Sequence, residues 1–331
     1  MTRRLLPALL LVLAVAACAP RLQQAGPLAE TPQPPRLTET AYIAEDGATL
    51  PLRRWLPDDG TPQAIVVALH GFNDYSNAFA GIGAFLAGSG VAVYAYDQRG
   101  FGAAPHRGIW AGEQRLAEDA SGFVAALRTQ HPHVPLYALG ESMGGAVLMA
   151  ADDTAPLDVD GIVLAAPAVW GRATMPFYQT AALWLSAHTL PWLTLTGRGL
   201  GIVPSDNIEM LRALGRDPLV IKETRIDAMW GIVNLMDSAL AAARRFDGPA
   251  LFLYGARDEI VPPGATLRMF ESLPDGGRNT VVVYDAGYHM LLRDLQAATV
   301  WRDVRAWIAD RRRALPSGAD RVDPGAALAQ R

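Results

Sequence analysis

The chain has 331 residues, half of them hydrophobic, which is enough for one large domain or two ordinary ones with a sizeable core and excludes a disordered protein. A net charge of -4 with scattered arginines excludes the basic footprint of a nucleic-acid binder, so no nucleic-acid partner is expected. One cysteine, no H-E-x-x-H and no histidine pair at ligand spacing on a helix leave no metal site to read, and no cofactor is implied.

In chain order, residues 1–20 read MTRRLLPALLLVLAVAACAP: two arginines, an apolar stretch from Leu5 to Ala17, then small residues. This is the three-part layout of an export signal, and it is shorter than the roughly 20 residues of a spanning helix. Val15-Ala16-Ala17-Cys18 resembles the lipobox of bacterial lipoproteins, in which the cysteine becomes the lipidated first residue. That resemblance implies a signal peptide over 1–17, lipidation of Cys18 and firm anchoring by two or three acyl chains. The mature protein is then exported and membrane-bound, at the outer membrane or facing the periplasm. Cleavage after Ala19 is the alternative, but it would leave Pro20 at the new N-terminus, which signal peptidases disfavour. Residues 19 to 40 hold five prolines among polar residues with no hydrophobic period, so 18–40 reads as a tether.

From residue 41 the pattern changes. AYIAE and LPLRRWLP read as two strands joined at Asp46-Gly47, and AIVVAL (64–69) and VAVYAY (91–96) as strands buried on both faces. Between the latter two, Phe79, Ile82 and Phe85 or Leu86 are spaced for a helix closing on Gly88 and Gly90. Leu116, Phe123 and Leu127 mark a second helix ending before Pro132; LYALG, the helix AVLMAAD and the strand GIVLAAP (161–167) follow. Strands alternating with helices predict a parallel sheet wrapped by helices. The alternation lapses over 168–240, which carries four of the eight tryptophans in helix-like segments without a clear strand. It resumes with ALFLYG (250–255), a helix near 264–273, TVVVYD (280–285) and a helix through Trp301, Val304 and Ile308. The expected organisation is a core over 41–167 and 241–314, a helical cap over 168–240 and a flexible tail over 315–331.

Residues 140–145, GESMGG, fall at the junction between LYALG and its helix. They could be a tight turn with Ser142 capping the helix. In the form G-x-S-x-G they make a nucleophile elbow, which exposes the serine hydroxyl above the sheet. A serine needs a base within reach and a third group to fix that base. GARDEIVPP places Asp258 just after ALFLYG, with Glu259 as the alternative carboxylate and a turn cap or an Arg257 pair as the alternative role. DAGYHMLL places His289 just after TVVVYD; of the six histidines, only His289 both follows the acid and lies at a strand end. Both positions are at the carboxyl ends of strands, where open parallel sheets build their sites. An oxyanion hole would take its N–H groups from Met143, next to the serine, and from Phe72 in AIVVALHGFND, where His70 could brace the turn.

HGFNDYS, YDQRGFG, GESMGG, GARDEIVPP and GYHMLL, in this order and spacing, resemble the monoacylglycerol lipase and lysophospholipase branch of the α/β-hydrolases (serine aminopeptidase S33-type) over about residues 40–312. The resemblance implies an α/β-hydrolase fold, with a mostly parallel central sheet flanked by helices and the insertion as a cap. It further implies a Ser142, Asp258, His289 triad, a Phe72 and Met143 oxyanion hole, and hydrolysis of a small lipid-like ester, monoacylglycerol or lysophospholipid, through an acyl-enzyme. Phe101 stands where many relatives have histidine and Ala104 where serine is frequent, so YDQRGFG reads as a brace for the loops. The same triad would serve a general carboxylesterase, an acyltransferase or a peptidase. Serine at the elbow argues against a carboxylate nucleophile. A non-catalytic membrane-anchored binding protein would be expected to lack a triad member, and none is missing.

Overall fold

The computed structural model describes residues 19–23, 33–58, 60–274, 276 and 278–329. The expected signal peptide and Cys18 lie outside them. In chain order the first half holds β1 (Arg36–Leu37), β2 (Ala41–Ile43), β3 (Thr49–Trp55), β4 (Ala64–Leu69), α1 (Ala80–Ala87), β5 (Val91–Tyr96), α2 (Glu113–Gln130), β6 (Leu136–Glu141), α3 (Met143–Thr154) and β7 (Gly161–Ala165). The insertion holds α4 (Phe177–Thr189), β8 (Thr194–Leu195), α5 (Ile208–Arg216), β9 (Thr224–Arg225) and α6 (Ile226–Ala242). Then come β10 (Ala250–Gly255), α7 (Pro263–Ser272), β11 (Asn279–Tyr284), α8 (Ala297–Ala309) and α9 (Pro324–Ala329).

Nine strands form one sheet in the order β1-β2-β3-β5-β4-β6-β7-β10-β11. The pairs from β5 to β11 are parallel, while β1, β2 and β3 form an antiparallel edge that joins β5 antiparallel. The runs AIVVAL, VAVYAY and ALFLYG are buried at every position because helices cover both faces. Their side chains still divide with period two. Ile65, Val67 and Leu69 face a core shared with α2, α3 and α6, whereas Val66, Leu251 and Leu253 face α1 and α8. Burying one such aliphatic side chain contributes about 1.5–3 kcal/mol, so the two faces together hold the fold.

Three segments depart from the sequence expectations. The expected cap over 168–240 divides, because α6 lays Ile232, Leu235 and Ala239 against the main core beside α3, and a two-residue ladder joins β8 to β9. Only Ala187 of α4 is buried and no residue of α5 is, so these two helices stand away from the core. Residues 315–331 were expected to be loose, yet Leu315 and Leu328 are buried, the latter against Tyr254, Ala256 and Val283. The described parts of the expected tether are also ordered: Leu37 pairs with Tyr42, and Leu22 bridges to Trp110. Among the described residues, no helix is long and apolar enough to cross a membrane.

Candidate active site

Register brings the chemistry to one edge of the sheet. Leu69, the last residue of β4, pairs with Gly140 of β6, and Glu141 pairs with Ala165 of β7. The loops that leave the carboxyl ends of β4, β6, β10 and β11 carry residues 70–72, Ser142, Asp258 and His289. Ser142 is the residue between β6 and α3, at φ 52° and ψ -114°. That backbone costs a non-glycine residue on the order of 1–3 kcal/mol and persists because its surroundings fix it. Its N–H donates to Ala165 O at 2.9 Å, and its carbonyl accepts from Ala146 N at 3.1 Å and Ala168 N at 3.0 Å. The glycines of GESMGG are required by contact: a Cβ on Gly144 would run into the Leu69 carbonyl, and one on Gly140 into the backbone of Gly144 and Gly145.

His289 Nε2 lies 3.0 Å from Ser142 Oγ, and His289 Nδ1 lies 2.8 Å from Asp258 Oδ2. A carboxylate only accepts, so Nδ1 carries the proton and Nε2 accepts from the serine hydroxyl. The other oxygen of Asp258 accepts from the N–H groups of Ile260 and Val261 at 2.7 and 2.9 Å, which aims the carboxylate at the ring. The alternative acid, Glu259, turns away and accepts from Val203 N. Asp258 and His289 are both buried, whereas Ser142 keeps some exposed surface. Burial works against the imidazolium of His289, but the charge and hydrogen bond of Asp258 together with the charge of Glu141 hold the ring above its ordinary pKa of 6.5.

The loop after β4 runs beside Ser142: a Cβ on Gly71 would sit 3.4 Å from Ser142 Cβ. Phe72 follows at once, with its ring against Phe101 and Trp110. Met143 opens α3 and is buried, so its N–H is among the first-turn donors that have no partner inside the helix. His70 donates from Nδ1 to Gly71 O at 2.8 Å and accepts at Nε2 from Gln98 N at 2.9 Å. Burial holds its pKa below the ordinary value, which keeps the ring neutral as those two bonds require. YDQRGFG thus touches the loop after β4 directly. Asp97 accepts from Ser76 N and Oγ, Arg99 forks onto Asp46 and Asp119, and Phe101 packs its ring on both His70 and Phe72.

Sequence reasoning missed a second charged group at the site. Arg293, four residues after His289, bonds Asp74 Oδ2 at 2.7 Å and Glu141 Oε2 at 2.9 Å. Arg293 directly follows the quoted DAGYHMLL run, but nothing local signals partners as distant in the chain as Asp74 and Glu141. It missed as well that the insertion is tied to the histidine loop. Met290 N donates to Pro204 O, Ser205 Oγ to Asp294 Oδ1 at 2.6 Å, and Asn207 Nδ2 to Arg293 O. Among the described residues no three His, Cys, Asp or Glu side chains converge as a metal site. A cavity of about 550 Å³ lies against Pro20, Leu22, Trp110, Asp227 and Trp230, and its lining holds none of the triad.

Residues 60–296 match the family model described as serine aminopeptidase, S33. The chain belongs to the S33 family. Its relatives include mouse monoglyceride lipase, 28% identical over 83% of this chain and 92% of the mouse protein. The monoacylglycerol lipase of Mycolicibacterium smegmatis is 24% identical over 82% of this chain and 96% of its own length. The crystal structure of the Paleococcus ferrophilus monoacylglycerol lipase superposes with a TM-score of 0.63 at 25% identity, covering 78% of this chain and 98% of that one. The S33 chain described here therefore has the α/β-hydrolase fold, with its mostly parallel sheet flanked by helices.

Proposed function

We propose that this carboxylic ester hydrolase cleaves lipid-like esters, monoacylglycerol or lysophospholipid, through an acyl-enzyme on Ser142. The observation that carries the reading is the unbroken relay from Ser142 Oγ to His289 to Asp258 at the carboxyl edge of the sheet. Ser142 attacks the ester carbonyl while His289 Nε2 takes its proton. The N–H groups of Phe72 and Met143 receive the developing oxyanion. Collapse expels the alcohol, which takes the proton back from His289. Water then repeats the sequence on the acyl-enzyme and releases the fatty acid. The names of the mouse and mycobacterial relatives support a monoacylglycerol substrate. So does the insertion, whose α4 and following loop expose Phe177 (84%), Trp184 (54%), Trp192 (51%) and Leu200 (67%), apolar surface that a water-soluble substrate does not require.

The same surface and the N-terminus support a membrane partner. Arg21 N lies 3.4 Å from Asp227 Oδ2, and Asp227 N donates to Pro191 O, next to exposed Trp192. The chain toward Cys18 therefore leaves the described structure beside the apolar face. Our reading is that acyl chains on Cys18 and this face meet one bilayer. Incubating the purified protein with a membrane lipid extract and identifying what is released tests the substrate class. Free fatty acid from monoacyl lipids, lost in Ser142→Ala, is expected. Undiminished fluorophosphonate labelling of Ser142→Ala would end the reading.

A further inference from the structure

We propose that Glu141, held with Asp74 on the buried guanidinium of Arg293, is a positioning residue that sets the charge balance felt by His289 and fixes its loop against the nucleophile elbow. The proposal rests on the relay described above and extends it. Three side chains from three segments meet here. Glu141 directly precedes Ser142, Asp74 is two residues beyond Phe72, and Arg293 closes the turn that carries His289. Asp74 is itself fixed, since its Oδ1 accepts from Tyr75 N at 2.8 Å and its N–H donates to Gly71 O at 3.3 Å. Arg293 N donates to Met290 O at 2.8 Å, so the backbone that carries the guanidinium is tied to the residue next to His289.

The cluster is not assembled for stability alone. Glu141 Oε1 and Arg293 Nε are buried without a hydrogen-bond partner among the described residues, and leaving a buried polar atom unmade is unfavourable. A buried pair is commonly no more stabilising than apolar side chains of the same volume. What two carboxylates and one guanidinium supply, and apolar packing does not, is a field. The charged groups that act most strongly on His289 are Asp258, Glu141 and Arg293. The carboxylates favour the imidazolium, and Arg293 opposes it. His289 becomes an imidazolium when Ser142 gives up its proton, so Glu141 favours the attacking state from outside the relay. Arg293 limits that effect and keeps Glu141 pointed inward.

The test measures the rate of fluorophosphonate labelling, and kcat and KM on a soluble ester, against pH for the wild type, Glu141→Gln, Arg293→Gln and Arg293→Lys. Melting curves confirm the folded state of each. In Glu141→Gln the acid midpoint moves to lower pH. Its kcat falls between about tenfold and about a hundredfold, the scale of a mispositioned reacting group, while KM stays within about twofold. In Arg293→Gln the midpoint moves the opposite way, and Arg293→Lys, which keeps the charge, restores the wild-type midpoint. Glu141→Gln is isosteric and carries the test by itself if Arg293→Gln does not fold. An unchanged midpoint in Glu141→Gln, or shifts of the same sign in both Gln variants, overturns the proposal. Labelling reads His289 without the natural substrate, so a wrong lipid assignment fails separately, in the released-product assay.

Discussion

Ser142, Asp258 and His289 form a relay whose parts have unequal weight. Asp258→Asn keeps the shape but presents an amide where His289 Nδ1–H needs an acceptor, so kcat is expected to fall by about 10⁴ with KM little changed. The pH profile follows from the sign of the His289 shift. The base must be neutral to accept a proton, and its pKa stands above 6.5, so kcat/KM falls as pH drops through a midpoint above 6.5. A midpoint at or below 6.5 in a pH series of initial rates would contradict the assigned role of Asp258. The meeting of Ser142, Asp258 and His289 was legible in the sequence because each follows a strand run and the order along the chain is constrained. Glu141 and Arg293 were not, because their roles depend on partners brought together only by the folded sheet. Glu259, the competing acid, could be separated from Asp258 only by geometry, since adjacent residues in a loop share every sequence signal.

At the scale of elements, the strands were readable as uninterrupted apolar runs and the core helices by their spacing. The insertion was only partly readable. Apolar spacing in α6 says that one face is buried but not what buries it, so a helix of the main core was grouped with the cap. The tail was misread because Leu328 is a single large apolar residue among small ones. The tie between residues 203–207 and the histidine loop gives a stability prediction. Burial pushes the Asp294 carboxyl up to about 6, against the hydrogen bond from Ser205 that lowers it. The folded protein then holds this proton more tightly than the unfolded chain does. Between about pH 4 and 6 the native state binds more protons, so this group makes stability fall as pH rises through that window. Asp294→Asn removes the titration, and denaturant melts across pH 4 to 6 are expected to show a flatter profile than the wild type. For substrate choice, each CH₂ buried against the insertion adds about 0.8 kcal/mol, about fourfold in kcat/KM, until the pocket is filled. Across soluble ester chain lengths, Trp184→Ala is expected to flatten that rise more than it lowers acetate ester hydrolysis. Equal losses at every length would make Trp184 a packing residue of the insertion.

At the scale of the whole molecule, an α/β core carries an apolar outer face on the insertion, and the described segment at Arg21 lies against Asp227 near that face. One acyl chain gives marginal, reversible binding, and a second signal is needed for stable anchoring. The protein without residues 1–18 is therefore expected to bind vesicles of neutral lipid weakly, and Trp184→Ala with Trp192→Ala to abolish that binding in a sedimentation assay. Mass spectrometry of the protein from membranes is expected to find acyl mass on Cys18; its absence would remove the anchor and leave the apolar face alone. The proposed chemistry passes a lipid acyl group through Ser142. Its most direct measurement is a rapidly quenched reaction with long-chain monoacylglycerol, digested and read by mass spectrometry. The predicted result is the mass of the acyl chain on the peptide carrying Ser142, present in the wild type, accumulating when the hydrolytic step is slowed, and absent in Ser142→Ala. Turnover of monoacylglycerol with no acyl adduct on that peptide, or undiminished turnover in Ser142→Ala, would contradict it.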